Sequence, residues 1–432
     1  MSKIFGKNML DRSKAPAIKS LRSIRFPTVE HFLLDNGIPV YSVNLGTQDV
    51  LKLEIAFWAG RPFESGKVVA RATASQVKEG SKYINGEDFS EKIDALGATL
   101  NLPFHLDTSN FNLYSLGRYF DQLLPVFREV LSEPIFPEEE LQAFVERNQH
   151  RLKVELAKTD VLAYRQVTER IFGSDHPYGY NSFAEDYAAL RREDLLSHHH
   201  SYYHPGNTQI FVSGKITDAH IKALNREFGQ FPATKTVPFP ELVRAPFAGG
   251  RELLRVPGSV QSSIRIGKPL FGRKHENYAG LYVLNTILGG YFGSRLMENI
   301  REEKGYTYNI YSLLDVMRAD GCLYIGADVA HEYVEPTIRE IIIEMERLKQ
   351  DLVDEDELDM VKNYLMGTFL SMLDGPFNIH DTVRTIVSED LPQGFFENLV
   401  ESVVDITAEE IRELAQKYLD AESMWEVVAG EV

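Results

Sequence analysis

The chain has 432 residues, 44% of them hydrophobic and 25% charged, and its 46 basic and 63 acidic side chains give a formal charge of −17. At about 100–200 residues per domain this length carries two or three domains, and the apolar fraction excludes a disordered chain. The negative charge argues against nucleic-acid and anionic-membrane partners, which need a basic field, and the single cysteine, Cys322, forms neither an intrachain disulfide nor a cysteine zinc cluster.

In chain order, residues 1–25 form a basic arm (Lys3, Lys7, Arg12, Lys14, Lys19, Arg22 and Arg25 against Asp11) without the apolar stretch of a secretory signal. Nowhere does an apolar run approach the roughly 18 residues of a membrane span. A soluble cytoplasmic protein is expected, with the mitochondrial matrix as the alternative address. Val50, Leu51, Leu53, Ile55 and Phe57 predict a strand, and the stretch from Val68 to Glu79 predicts a helix ending at Gly80. Phe89, Ile93 and Leu96 fall on one face of a short helix closed by Gly97. Leu100, Leu102 and Phe104 then alternate as a strand, and after Asp107-Thr108-Ser109-Asn110 a returning strand resumes at Phe111, Leu113 and Ser115. The second half repeats this order: Ile264 and Ile266, a helix over Leu281, Leu284 and Leu288, the pair Gly289-Gly290, then strands over 306–315 and 321–329.

The repetition has a measurable period. The acidic start Glu138-Glu139-Glu140-Leu141 resembles Glu355-Asp356-Glu357-Leu358, an offset of 217, and Glu193-Asp194-Leu195 with Gly214 resembles Glu409-Glu410-Ile411 with Gly430, an offset of 216. Between the copies, residues 232–246 hold Pro232, Pro238, Pro240 and Pro246, the composition of a semi-rigid linker. The expected architecture is α+β: two homologous α/β sandwich domains in tandem, over 26–231 and 247–432, joined by this Pro-rich linker.

The stretch from Leu288 to Tyr308, which includes Gly-Gly-Tyr-Phe-Gly and Arg-Glu-Glu-Lys-Gly-Tyr-Thr-Tyr, resembles the second-half signature of the M16 metallopeptidases, the pitrilysin-like and mitochondrial processing peptidase-like family. Asp175-His176-Pro177-Tyr178-Gly179 and Tyr202-Tyr203-His204-Pro205-Gly206-Asn207 are similar to first-half segments of the same family. The resemblance covers nearly the whole chain and implies the LuxS/MPP-like metallohydrolase fold. It also implies zinc held by an H-x-x-E-H helix, with a further Glu about 75 residues on.

This sequence contains no H-x-x-E-H. Anchored on Gly80, the two His positions hold Arg71 and Ser75, the general-base position holds Ala74, and the third-ligand position falls at Arg151. Guanidiniums neither ligate nor tolerate Zn²⁺, and Ala74 accepts no proton. No metal is expected in this chain. The resemblance retains Arg301 and Tyr308, which in the family's motif point at the substrate backbone near the scissile bond, with Gly289, Gly290 and Gly293 as a candidate substrate loop. Two-chain members of the family divide these parts between subunits. The expected function is therefore that of a zinc-free, non-catalytic subunit that binds peptide and completes the active site of an H-x-x-E-H partner in a heterodimer, with self-association as the other pairing. The alternative is a structural subunit of a larger assembly. In either case no hydrolysis is expected from the chain alone, and zinc is expected in the partner.

Other features are weaker signals. His198-His199-His200 with His204 could gather a metal, but no acid is placed beside them and Pro205 ends the helix; packing is the default role, as it is for His150 and His176. Over 99–104, the strand corresponds to the edge that accepts substrate in active relatives, and Pro103, lacking an N–H, weakens such pairing.

Overall fold

A computed structural model describes residues 21–431; of the basic arm 1–25, residues 1–20 lie outside the described residues. Among the described residues, eleven strands form two sheets. The first contains β1 (Glu30–Leu33), β2 (Pro39–Asn44), β3 (Val50–Phe57), β4 (Thr99–Asn101), β5 (Ser109–Leu116) and β6 (Thr208–Gly214), in the order β1-β2-β6-β3-β5-β4. The second contains β7 (Gly250–Arg255), β8 (Ser262–Leu270), β9 (Thr307–Val316), β10 (Gly321–Val329) and β11 (Trp425–Gly430), in the order β7-β11-β8-β10-β9. Without β1, the two orders are the same. The pairs β2–β6 and β7–β11 are both parallel, and the other neighbours are antiparallel.

The repeat is thus a duplicated topology with one change of phase. β5 starts at residue 109 and β10 at residue 321, an offset of 212, while helices Glu138–Glu155 and Glu355–Met372 start 217 residues apart. The extra five residues enter after β10. Helix Gly117–Ser132 follows β5 directly, whereas the turn His331–Tyr333 precedes the equivalent helix Val334–Gln350. That is why the period of 216–217 read from the sequence fits the later helices and not the central strands.

Local chemistry sets the element boundaries. Asn85 accepts from Asp88 N at 2.8 Å and caps helix Gly86–Ala95, and Gly97, at φ +63°, turns the chain out of it. The strand expected to run to Phe104 stops at Asn101. Pro103 has no donor for a ladder, and only an isolated bridge from Phe104 to Ser109 remains. The predicted helix 68–79 is helix Val69–Gln76 with a tighter last turn, Val77–Glu79, and the predicted helix through Leu288 is helix Tyr278–Asn285 continued by a wide π-type turn, Thr286–Gly290.

The halves are interlocked. On β3, Leu51, Leu53, Ile55 and Phe57 face the first half's own helices, and Lys52, Glu54 and Ala56 face the other side. That other side is covered by helix Gly375–Ser388 from the second half, whose Ile379 and Val383 pack with Val43, Ala56 and Phe211. Reciprocally, helix Thr159–Phe172 from the first half packs Ala163, Val167, Ile171 and Phe172 against Cys322, Tyr324, Val427 and Ala429 of the second sheet. These helices start at 159 and 375, an offset of 216, so the duplication exchanges equivalent helices. Residues 232–249 carry neither helix nor strand but are held down: Val237 N donates to Asn207 Oδ1 at 2.9 Å, Phe239 packs edge-on against Trp58 and Phe63, and Arg244 pairs with Asp320 at 2.8 Å. No helix among the described residues is long and apolar enough to cross a membrane.

Candidate functional site

Helix Val69–Gln76 begins under constraint. Val68, a β-branched residue, is left-handed at φ +64°, a costly conformation held by its surroundings. Its N–H donates to Tyr180 Oη at 3.3 Å, Tyr180 in turn donates to Glu64, and Glu64 Oε2 accepts from Ala70 N at 3.0 Å. A carboxylate therefore sits at the positive end of the helix. Burial raises the Glu64 pKa from its usual range, against the lowering pull of these bonds. With Ala72 and Thr73 turned inward, the helix presents Ala70, Arg71, Ala74 and Ser75 to a cavity of about 560 Å³. Across the cavity, helix Glu138–Glu155 presents Arg147, Asn148 and Arg151.

The four positions counted from Gly80 thus share one cavity. Their chemistry does not fit zinc. Arg71 and Arg151 bring fixed positive charge, Ala74 has no basic atom, and Ser75 alone cannot hold the ion. Arg151 is paired instead with Glu155, Nε to Oε1 at 2.8 Å. Two further guanidiniums, Arg61 and Arg147, which the sequence reading did not single out, also line the cavity, as do Phe104 and His105. Burial, with the charge of Arg384, lowers the His105 pKa to about 4, so this ring is neutral at pH 7.

Arg301 lies in the turn Met297–Glu303, and its guanidinium stands over two rings, 4.5 Å from the Phe292 centroid and 5.2 Å from that of Tyr308. The sequence-predicted pair is therefore in contact, with Phe292 as a third member. Tyr308 is 85% exposed and Phe292 68%. Arg301 Nη1 is enclosed 3.3 Å from Glu302 Oε1 without making a hydrogen bond. Gly289 is buried against β9, where an added Cβ would lie 2.5 Å from Ser312 N; close packing explains that glycine, while Gly290 and Gly293 are exposed. Among the described residues no hydrogen bond or ion pair joins Arg301 or Tyr308 to the first half.

The histidine cluster is dispersed. His198 Nε2 bonds to Ala59 O at 3.0 Å and His199 Nε2 to Leu131 O at 2.8 Å, so one ring donates to a loop and the other to the end of helix Gly117–Ser132. His204 Nδ1 bonds Thr234 at 2.8 Å, beyond the end of helix Arg192–Tyr202, while His200 is exposed. His150 is exposed too, and buried His176 accepts from Tyr178 N at 3.1 Å.

A network with no sequence signal lies under the exchanged helix. His380 Nε2 donates to Glu54 Oε2 at 2.8 Å and its Nδ1 accepts from Ser213 Oγ at 2.9 Å, the arrangement of a neutral imidazole. Burial lowers the His380 pKa. For Glu54, burial works upward, but the hydrogen bond from His380, the charge of Arg384 and the Asn110 amide bring its pKa to about 2. Glu54, His380 and Asp381 have the spacing of a cation site. Two resident cations already serve it: Lys52 Nζ is 2.7 Å from Asp381 and Arg384 Nε 3.4 Å from Glu54.

Comparison with known proteins agrees with this layout. Residues 189–365 match the family described as peptidase M16 inactive domain, a segment that begins after the helices lining the arginine cavity. "Uncharacterized zinc protease YmxG" of Bacillus subtilis is 22% identical over 350 residues, covering 80% of this chain and 85% of its own length. "Non-peptidase homolog YmxG" of Helicobacter pylori is 20% identical over 363 residues, 82% of each chain. The crystal structure of a peptidase M16 inactive domain from Pseudomonas fluorescens superimposes with a TM-score of 0.85 at 23% identity, covering 94% of this chain and 99% of that one.

Proposed function

We propose that this chain, an inactive-type homologue of the M16 peptidases, binds peptide and completes the active site of a second chain that carries H-x-x-E-H and zinc. One observation carries the reading: guanidiniums and an alanine line the cavity at the positions that the family resemblance assigns to the metal site, while Arg301 and Tyr308 are in contact in the other half. The hydrolytic chemistry belongs to the partner. This chain contributes donors: the Arg301 guanidinium and the Tyr308 hydroxyl bond the peptide carbonyl near the scissile bond, where negative charge develops, and such donors are worth most in a site closed to water. A relative bearing the name non-peptidase homolog supports the absence of hydrolysis by the chain alone.

The test mixes the purified chain with an H-x-x-E-H chain from the same genome and follows cleavage of an unstructured peptide. Turnover that requires both chains and falls with Arg301→Ala is the expected result. A stable assembly whose peptide turnover is indifferent to Arg301 would favour the structural reading instead.

A further inference from the structure

We propose that the cavity between helices Val69–Gln76 and Glu138–Glu155 is a carboxylate-binding site that takes an acidic side chain of a bound peptide. Four guanidiniums line it: Arg61, Arg71, Arg147 and Arg151. Among the described residues no Asp or Glu does, although the chain as a whole carries −17. The acids nearby are already bonded within the fold, Glu54 to Asn110 and His380 among them. Glu155 pairs with Arg151, and Glu64 is spent on Tyr180 and on the first turn of the helix.

Arg71 and Arg147 make no hydrogen bond or ion pair among the described residues. The guanidiniums of Arg61 and Arg71 both stand over Phe104, within 5.6 Å of its ring centroid, a contact that orients them without neutralising them. Convergent, unpaired guanidiniums repel one another, and an oxyanion relieves that repulsion with paired, charge-assisted bonds. At about 560 Å³ the space has the size of a small-ligand pocket and holds more than one tetrahedral anion. Its wall also carries Leu102 and Phe104 from the segment that follows β4, which gives a peptide apolar contact beside the charge. The inference deepens the peptide-binding reading by naming the peptide class, and it is read on the isolated chain, so its failure is separate from failure of the two-chain cleavage assay.

The probe is a pair of identically labelled hexapeptides, one of Glu and one of Gln, titrated against the chain by fluorescence anisotropy. The Glu peptide is expected to bind at least about tenfold more tightly and to weaken as NaCl rises. Combining Arg71→Gln with Arg147→Gln should lower that affinity by about tenfold or more with no change in melting temperature, because neither side chain is bonded within the fold. Arg71→Lys with Arg147→Lys should fall between, since charge is kept and the planar fork lost. Equal affinity for both peptides overturns the proposal, as does full affinity in the Gln double variant. Inorganic phosphate binding more tightly than the Glu peptide overturns the assignment to a peptide carboxylate.

Discussion

Lys52 Nζ lies 2.7 Å from Asp381 Oδ1, joining a strand of the first half to a helix of the second across 329 residues of sequence. The two ends of this pair are unequal. Lys52 is 1% exposed and Asp381 49%, so the lysine has only the Tyr114 ring, 5.7 Å away, as further compensation, while the aspartate has water and Arg384.

That inequality predicts an asymmetric response. Asp381→Ala leaves a buried ammonium unpaired and should cost about 2–3 kcal/mol, whereas Lys52→Met, which keeps the volume and leaves only a half-exposed carboxylate, should cost less than about 1.5 kcal/mol. The double variant should recover much of the loss of Asp381→Ala. Urea denaturation of the four proteins measures the cycle, and equal losses for the two single variants would contradict the burial argument.

Stability should fall on acidification from the buried histidines. Burial lowers the pKa of His105, His198 and His199 to about 4 from the ordinary imidazole value of 6.5. Above pH 6.5 each ring is neutral in both states and the full stability is present. Between 6.5 and 4 the unfolded chain takes up protons that the folded chain refuses, so each ring removes about 1.4 kcal/mol per pH unit. Glu54 extends the loss to lower pH: held at about 2, its contribution is complete above the ordinary carboxylate value of 4.5 and disappears as pH falls through 2. Urea midpoints should stay level from pH 7.5 to about 6.5 and decline from there to 4.5, and His199→Gln should reduce that slope by about one proton.

The duplication was readable because acidic helix starts and terminal glycines recur: Glu138 with Glu355, Gly214 with Gly430. The exchange of helices was not. Periodicity says that helices Thr159–Phe172 and Gly375–Ser388 have apolar faces, but not that each face lies on the other half's sheet. Counting from Gly80 placed Arg71, Ala74, Ser75 and Arg151 in what proves to be a single cavity. Arg147 precedes Arg151 by one helical turn and could have been found by that spacing, whereas Arg61 reaches the cavity from a separate turn and left no signal. Glu54 and His380, 326 residues apart, meet only through the exchange.

Tyr308→Phe separates the two things the Arg301 cluster does. The ring under the guanidinium stays and only the hydroxyl is lost, at a position 85% exposed, so stability should change by less than about 0.5 kcal/mol. If the hydroxyl donates to the peptide carbonyl, turnover by the two-chain complex should drop by about 100-fold. Phe292→Ala removes one of the two rings that hold Arg301 and should reduce turnover less, by loosening the arginine. Wild-type turnover in Tyr308→Phe, assayed with saturating partner, would remove the hydroxyl from the mechanism and leave Arg301 as the only donor.

Exchanged helices should make the halves unfold together. Ile379 and Val383 are buried between helix Gly375–Ser388 and the first sheet, next to Val43, Ala56 and Phe211. Truncating a buried Ile or Val to Ala removes transfer energy and leaves a cavity, about 2–4 kcal/mol for Ile379→Ala. In a pair of independent domains such a change would weaken one transition and leave the other in place. Here the second half supplies the cover of the first sheet, and the first half, through Ala163, Val167, Ile171 and Phe172, supplies the cover of the second. Neither sheet keeps its buried outer face when the other half unfolds. Differential scanning calorimetry of Ile379→Ala should therefore show one transition moved down as a whole, and a reporter in the second core, such as Trp425 fluorescence, should shift by the same amount. Two resolved peaks, with only the lower one displaced, would mean that the interlock does not couple the halves.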